Sequence, residues 1–126
     1  MKNNIFSIIK YSYYFFIIVL VVLYLYPGSL IGYFLYGNLG TQPKIISNPF
    51  GTSVNHLIFF SFITILAHII KEKFNNFIIN IKFIFFLSIF LELLHLIVPK
   101  RAFEVYDLIA NVTGVLIVII LFKLLK

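Results

Sequence analysis

The sequence contains no cysteine, no tryptophan and only four acidic residues. Without cysteine, disulfide bonds and thiol chemistry are excluded. It also shows neither a glycine-rich phosphate loop nor a recognisable serine-nucleophile motif, so no particular reaction is specified. The basic residues stand singly or in pairs at the ends of apolar runs, whereas a nucleic-acid-binding protein presents a clustered basic face. We therefore expect no nucleic-acid partner.

Apolar residues are abundant instead. Hydrophobic residues make up 62% of the 126-residue chain, aromatic residues 19%, and the mean hydropathy is +1.08. These values exceed those of soluble domains, and the apolar residues form continuous runs rather than an amphipathic period. We interpret the chain as an integral membrane protein. Four crossings of about 20 residues each would use most of its length, which predicts a single transmembrane domain over residues 1–126.

Four apolar runs, at about residues 11–26, 56–70, 83–98 and 108–121, predict an all-α, multi-pass four-helix bundle. The first run stops at Pro27-Gly28 and lacks a small-residue cleavage site, which indicates an uncleaved anchor. The connection over residues 27–53 is rich in glycine and proline. Its part at residues 29–36 is too apolar for a solvated loop, so we expect it to lie along the membrane surface or fold back over the bundle.

The distribution of basic residues predicts that both termini are cytoplasmic. With the predicted spans, seven basic residues fall on the same side of the membrane as the N-terminus, and three fall on the opposite side. Basic residues favour the cytoplasmic side. The seven are Lys2, Lys10, Lys71, Lys73, Lys82, Lys123 and Lys126, and the three are Lys44, Lys100 and Arg101.

Most of the polar side chains that could bind a ligand or take part in a reaction lie near the predicted outer end of the bundle. Glu92 and His95 are three residues apart and share one helix face, and Glu92 lies inside the membrane, where a carboxylate is costly. Asp107 and Asn111 share one face of the last helix. We predict a ligand-binding cluster of six residues, namely His56, Glu92, His95, Arg101, Asp107 and Asn111.

Each of these residues also has a structural interpretation. Asp107 can cap the last helix and pair with Arg101. Asn111 and Gly114 can serve close helix packing, the more favoured role for that pair. Glu92 can be a neutral or paired acid that stabilises the bundle.

A metal site is a further alternative, because Glu92-x-x-His95 with His56 and Asp107 offers carboxylate and imidazole ligands. A single Glu-x-x-His is weak evidence for such a site. We therefore expect neither a metal nor a cofactor.

The polar residues from Glu92 onward resemble the pattern of the VanZ-like family of small membrane proteins. That family shows an acid, then usually Gln, then Pro-x-Arg, then Asp-x-x-Ala-Asn-x-x-Gly at the same spacing. The matching residues here are Glu92, His95, Pro99, Arg101, Asp107, Ala110, Asn111 and Gly114. The resemblance covers about the last two-thirds of the chain and implies a four-helix protein of the bacterial inner membrane. The founding member is linked to teicoplanin resistance.

Two departures from the family pattern stand out. His95 replaces the usual Gln, which argues against a family-wide metal site because Gln is a poor substitute ligand. The family's Asp-Lys-x-x-His motif falls on Thr52 and Ser53, so only His56 matches it. We therefore expect this chain to lack one ion pair of the family's polar cluster.

Three functional hypotheses follow. The first is binding or modification of an envelope lipid, a lipid-linked precursor or a lipophilic glycopeptide at the outer leaflet. In it, Glu92 and Asp107 orient Arg101, which contacts a phosphate or carboxylate, and Asn111 completes the hydrogen bonds. The second is a membrane enzyme that uses Glu92 with His95 as acid or base. The third is a structural assembly subunit. The sequence leaves open whether the protein is an enzyme, and leaves its oligomeric state undetermined.

Overall fold

The computed structural model describes residues 2–47, 50–74 and 76–125, and within these ranges it contains five helices and no strand. The helices are α1 (Lys2–Leu25), α2 (Leu30–Tyr36), α3 (Ser53–Ile70), α4 (Ile81–Leu94) and α5 (Val105–Leu124). The all-α prediction is confirmed. The four predicted runs correspond to α1, α3, α4 and α5, and α2 is the apolar part of the long connection.

Three of the helices are long and apolar enough to cross a membrane, with spans at Asn4–Leu25, Ser53–Ile70 and Val105–Leu124. Helix α4 has 14 residues, or roughly 21 Å, against a hydrocarbon thickness of about 30 Å. It ends at Leu94, four residues before the predicted end of its run, and residues 95–97 continue as turns ahead of Pro99. Proline disfavours helical backbone in the residue before it. A fourth crossing thus stays a prediction.

The long helices bury a mixed aromatic and aliphatic core and expose apolar residues outward. Helix α3 packs against α5 most extensively, and α1 and α4 both contact α3, with α4 also contacting α5. The core includes Tyr13, Leu20, Phe60, Ile63, Ile84 and Val115, all essentially inaccessible to solvent. Large apolar side chains such as Ile18, Phe86 and Ile120 are exposed. An apolar exterior is suited to lipid.

Helix α2 is held by defined caps at both ends. The Ser29 side chain accepts a hydrogen bond from the Gly32 backbone N–H, and Gly37 ends the helix in the left-handed conformation with φ 68°. The following loop returns over Gly32 so closely that a Cβ there would lie 1.6 Å from the Thr41 carbonyl oxygen. The segment 29–36 therefore folds as a compact unit with the loop after it.

The ends of α1 and α4 meet the starts of α3 and α5, as the contacts between Tyr24, His56, His95 and Asn111 show. Successive long helices therefore alternate in direction. The predicted cytoplasmic placement of both termini stays a prediction, and Lys126, one of the residues on which it rests, lies outside the described residues.

Candidate functional site

A polar cluster lies where these four helix ends meet, and it is largely sealed from solvent. Glu92 and Asn111 are fully buried, His95 and Asp107 are 5% exposed, and His56 is partly buried. These five are among the six predicted site residues, and the structure brings them together. The sixth, Arg101, lies beside them in the connection between α4 and α5.

A directed chain of hydrogen bonds runs across the cluster. The Asn111 amide nitrogen donates to the Ser88 carbonyl oxygen at 3.2 Å, which turns the Asn111 Oδ1 atom toward Tyr24. The Tyr24 hydroxyl donates its single proton to that Oδ1 atom at 2.7 Å. It must then accept from His56 Nδ1, which lies 2.7 Å away. This order places a proton on Nδ1 of His56, and Nε2 takes no part in the chain of hydrogen bonds.

The Glu92 carboxylate is held through only one of its oxygens. Its Oε1 atom accepts a hydrogen bond from the Glu104 backbone N–H at 3.2 Å and lies 3.3 Å from His95 Nδ1. The other oxygen, Oε2, is buried, has no hydrogen-bond partner among the residues that the structure describes, and lies 3.9 Å from His56 Nδ1. A buried carboxylate oxygen without a hydrogen bond is energetically unfavourable and rare in folded proteins.

The Asp107 carboxylate is fixed by helix α3. The Ser53 hydroxyl donates to its Oδ1 atom at 2.5 Å, and its Oδ2 atom lies 3.6 Å from His56 Nε2. The residue at the N-cap of α5 is Glu104, whose side chain makes no capping hydrogen bond, while Asp107 lies in the first turn. The interpretation of Asp107 as a helix cap is therefore wrong, since its side chain turns inward to α3.

The predicted ion pair between Arg101 and Asp107 is also absent from the ion pairs of residues 2–47, 50–74 and 76–125. Arg101 instead donates to the carbonyl oxygens of Leu23 at 2.5 Å and Tyr26 at 3.3 Å. These carbonyls lie at the C-terminal end of α1, where helices leave carbonyls unpaired and favour cations. Partial burial lowers the pKa of Arg101, and the nearby carboxylates oppose that shift. An arginine nevertheless keeps its charge.

A cleft opens between α1, α2, α3 and the connection after α4, above the cluster. One part of it is apolar, with Leu20, Leu23, Ile31 and Phe59 in its wall. His56, His95 and Arg101 border it as well. A continuing recess is lined by Lys100, Arg101, Glu104 and Asp107. The cleft thus joins an apolar wall to a polar end that carries two basic and two acidic side chains.

Sequence reasoning missed two residues of the cluster, Tyr24 and Ser53. Tyr24 is 7% exposed and stacks on the His95 ring with centroids 5.1 Å apart. Ser53 stands out in the sequence only as a departure from the Asp-Lys motif. One signal in the sequence links them, because Tyr24 lies near the end of one apolar run and Ser53 lies just before the next, and successive runs alternate in direction.

The packing role of Gly114 is confirmed. A Cβ at Gly114 would lie 2.6 Å from the Leu57 carbonyl oxygen, and the Ser61 hydroxyl donates to the Gly114 carbonyl oxygen at 3.1 Å. The glycine lets α5 approach α3 closely, as small residues do between membrane helices. This contact holds His56 near Asp107.

Comparison with known proteins agrees with the sequence pattern. No curated protein and no solved structure matches the chain. The family model described as VanZ/LLP1 matches residues 13–126. Because this match spans most of the chain and includes all residues of the polar cluster, the chain belongs to the VanZ/LLP1 family.

Proposed function

We propose that this protein binds an anionic amphiphile of the bacterial cell envelope in the cleft above the polar cluster. The ligand class comprises a membrane lipid, a lipid-linked envelope precursor or a lipophilic glycopeptide, and a role like that in teicoplanin resistance falls within it. The observation that carries the proposal is the shape of the cleft, in which Leu20 and Phe59 share one cavity with Arg101. Such a cavity matches a molecule with an apolar chain and a charged head.

Arg101 is the group that would bind the head of the ligand. A guanidinium has five N–H donors, and two nitrogens of Arg101 are engaged by the carbonyls of Leu23 and Tyr26. The remaining donors are available for a phosphate or carboxylate, which arginine binds in a forked geometry. Lys100 borders the adjoining recess and adds a second positive charge, beside the acidic Glu104 and Asp107.

We place the cleft at the outer leaflet of the inner membrane. The alternating helix directions put the chain ends at the opposite end of the molecule from the cluster. The excess of lysine at that opposite end favours the cytoplasm. The cleft then faces the outer surface, where envelope precursors and glycopeptides are encountered.

Acid–base catalysis by Glu92 and His95 is the second candidate, supported by their contact at 3.3 Å. The geometry favours binding over this reaction. His95 Nδ1 faces Glu92, and Nε2 lies 3.2 Å from the Tyr24 carbonyl oxygen. Both ring nitrogens are thus occupied by groups of the protein, and Glu92 itself is fully buried. A substrate in the cleft therefore does not meet a free nitrogen of His95, and Glu92 does not line the cleft.

The proposal is tested by native mass spectrometry of the protein extracted with its own lipids. Arg101→Lys retains the charge but loses the forked donor geometry, so we expect a change in which anionic lipids remain bound. Lys82→Arg, at the opposite end of the molecule, is the matched control and should leave the bound lipids unchanged. Identical bound lipids in the wild-type protein and a folded Arg101→Lys variant would contradict the proposal.

Glu92→Gln separates the remaining hypotheses, because it keeps the size of the side chain and removes its charge. An enzyme that needs this acid should lose activity completely. A binding protein should lose only part of its affinity, and an assembly subunit should be almost unaffected.

A further inference from the structure

We infer that His56, Glu92 and Asp107 form a binding site for one divalent transition-metal ion beneath the cleft. One potential ligand atom from each residue lies within 4.8 Å of the other two. Glu92 is fully buried and Asp107 nearly so, while His56 borders the cleft and provides a path to it. The inference does not depend on which molecule binds in the cleft.

The strongest support is that each carboxylate is held by the protein through one oxygen and has its other oxygen beside the His56 ring, with Glu92 Oε2 3.9 Å from Nδ1 and Asp107 Oδ2 3.6 Å from Nε2. Glu92 Oε1 is engaged by the Glu104 backbone N–H, whereas Glu92 Oε2 is buried and has no hydrogen-bond partner. Asp107 Oδ1 is engaged by Ser53, whereas Oδ2 lies 3.6 Å from His56 Nε2. Metal-ligating carboxylates are commonly oriented by hydrogen bonds to the protein in this manner.

His56 is oriented in the same way. Its Nδ1–H donates to the Tyr24 hydroxyl, which is itself fixed by Asn111. A histidine that binds a metal through one nitrogen usually donates its other N–H to a protein acceptor, which fixes the tautomer. Nε2 is therefore the nitrogen left for an ion, and it is the nitrogen that faces Asp107.

Charge balance points to a divalent cation. Glu92 and Asp107 bring two negative charges into a buried region, and such charges are normally paired or bound to a metal. Zn²⁺ takes both imidazole nitrogens and carboxylate oxygens as ligands, and three protein ligands leave a fourth position open toward water or a ligand. Zn²⁺ is therefore the probe, and Mn²⁺ is the comparison because it prefers oxygen ligands.

Of the four ligands that the sequence offers, His95 is not part of this site, so its replacement of the family's usual Gln does not count against an ion here. The His95 ring lies between Glu92 Oε1 and the Tyr24 carbonyl oxygen. His95 thus positions Glu92 without binding the ion. The amide group of a Gln at this position has two N–H donors, which suit the same two oxygen acceptors.

The test measures zinc bound to the intact protein, purified in detergent without a histidine tag, by elemental mass spectrometry after equilibrium dialysis. We expect a single Zn²⁺ per protein and tighter binding of Zn²⁺ than of Mn²⁺. His56→Gln and Asp107→Asn should each weaken zinc binding by at least about tenfold. His68→Gln is the matched control, because His68 stacks on Phe122 near the other end of α3 and should leave zinc binding unchanged.

A second variant covers the possibility that His56→Gln fails to fold. Tyr24→Phe keeps the three ligands and removes only the acceptor of the His56 Nδ1–H, so it should weaken zinc binding by about 10–100-fold. Zinc should also raise the thermal unfolding temperature of the wild type and of His68→Gln, but not that of His56→Gln. Equal zinc content in the wild type and folded His56→Gln, or no zinc in the wild type, would overturn the inference. Lipid binding is scored separately, so the two proposals can fail independently.

Discussion

The substitution Gly114→Ala tests whether the close approach of α3 and α5 supports the fold and the cluster together. A Cβ at Gly114 would meet the Leu57 carbonyl oxygen at 2.6 Å and the Ser61 backbone nitrogen at 3.2 Å. Ordinary contact begins at 3.4 Å, so the tighter of these contacts is short by about 0.8 Å. Both atoms belong to the helix backbone and cannot rotate away. The helices must therefore separate.

The expected cost follows from two opposing effects. Overpacking of a close helix contact costs about 1–3 kcal/mol. Replacing glycine by alanine inside a helix returns up to about 1 kcal/mol of backbone propensity. Separation of the helices also lengthens the hydrogen bond from Ser61 to the Gly114 carbonyl oxygen, now 3.1 Å. We expect a net destabilisation of about 1–2 kcal/mol.

The measurement is reversible unfolding in mixed micelles with increasing SDS, followed by circular dichroism. Gly40→Ala is the control, because a Cβ at Gly40 meets only the side-chain oxygen of Asn38 at 3.3 Å, which can rotate. Unfolding of Gly114→Ala at the wild-type SDS concentration would refute the view that this glycine is required for helix approach.

Three further predictions concern the cluster and its orientation. Tyr24→Phe removes the donor to Asn111 Oδ1 and leaves that oxygen buried and unpaired, which should cost about 1–3 kcal/mol in the same unfolding assay. Single cysteines placed at Lys44 and Lys73 should differ in intact cells: an impermeant thiol reagent should label the first and not the second, and the reverse result would put the cleft in the cytoplasm. Ser53→Lys should lower the zinc content of the folded protein, because it adds a positive charge beside the bound cation, and undiminished zinc would argue against an ion at this position.

Much of the fold followed from the sequence, because long apolar runs have few alternatives to helices in a membrane. The predicted run at residues 83–98 shows where this reasoning stops. Hydropathy continues to Val98, but the helix ends at Leu94 because the backbone forms turns ahead of Pro99. Hydropathy measures which residues tolerate lipid, and backbone geometry decides which of them are helical.

The clustering of the polar residues was predictable from the sequence, but their individual contacts were less so. Helical spacing placed Glu92 with His95, and the structure brings their side chains within 3.3 Å. The predicted partner of Arg101 was wrong. A sequence shows which side chains are charged, but it does not show that backbone carbonyls at the end of α1 are available to Arg101. Tyr24 was missed for a similar reason, since its role depends on α1 ending beside α3. Contacts between distant segments leave little trace in a single sequence.

The balance of charge in the cluster links the departure from the family motif to the proposed ion. Where the VanZ-like pattern has a lysine, this chain has Ser53, whose hydroxyl donates to Asp107 at 2.5 Å. A hydroxyl satisfies one carboxylate oxygen as an ammonium would, but it adds no positive charge. Two buried carboxylates then remain beside His56 and His95, and among the described residues Glu92 Oε2 has no hydrogen-bond donor. A divalent cation supplies the missing charge and also completes the coordination of that oxygen. The ion pair that the family pattern implies is therefore replaced in this chain by a hydrogen bond from an uncharged hydroxyl, and the replacement leaves a site with less positive charge that is suited to a metal.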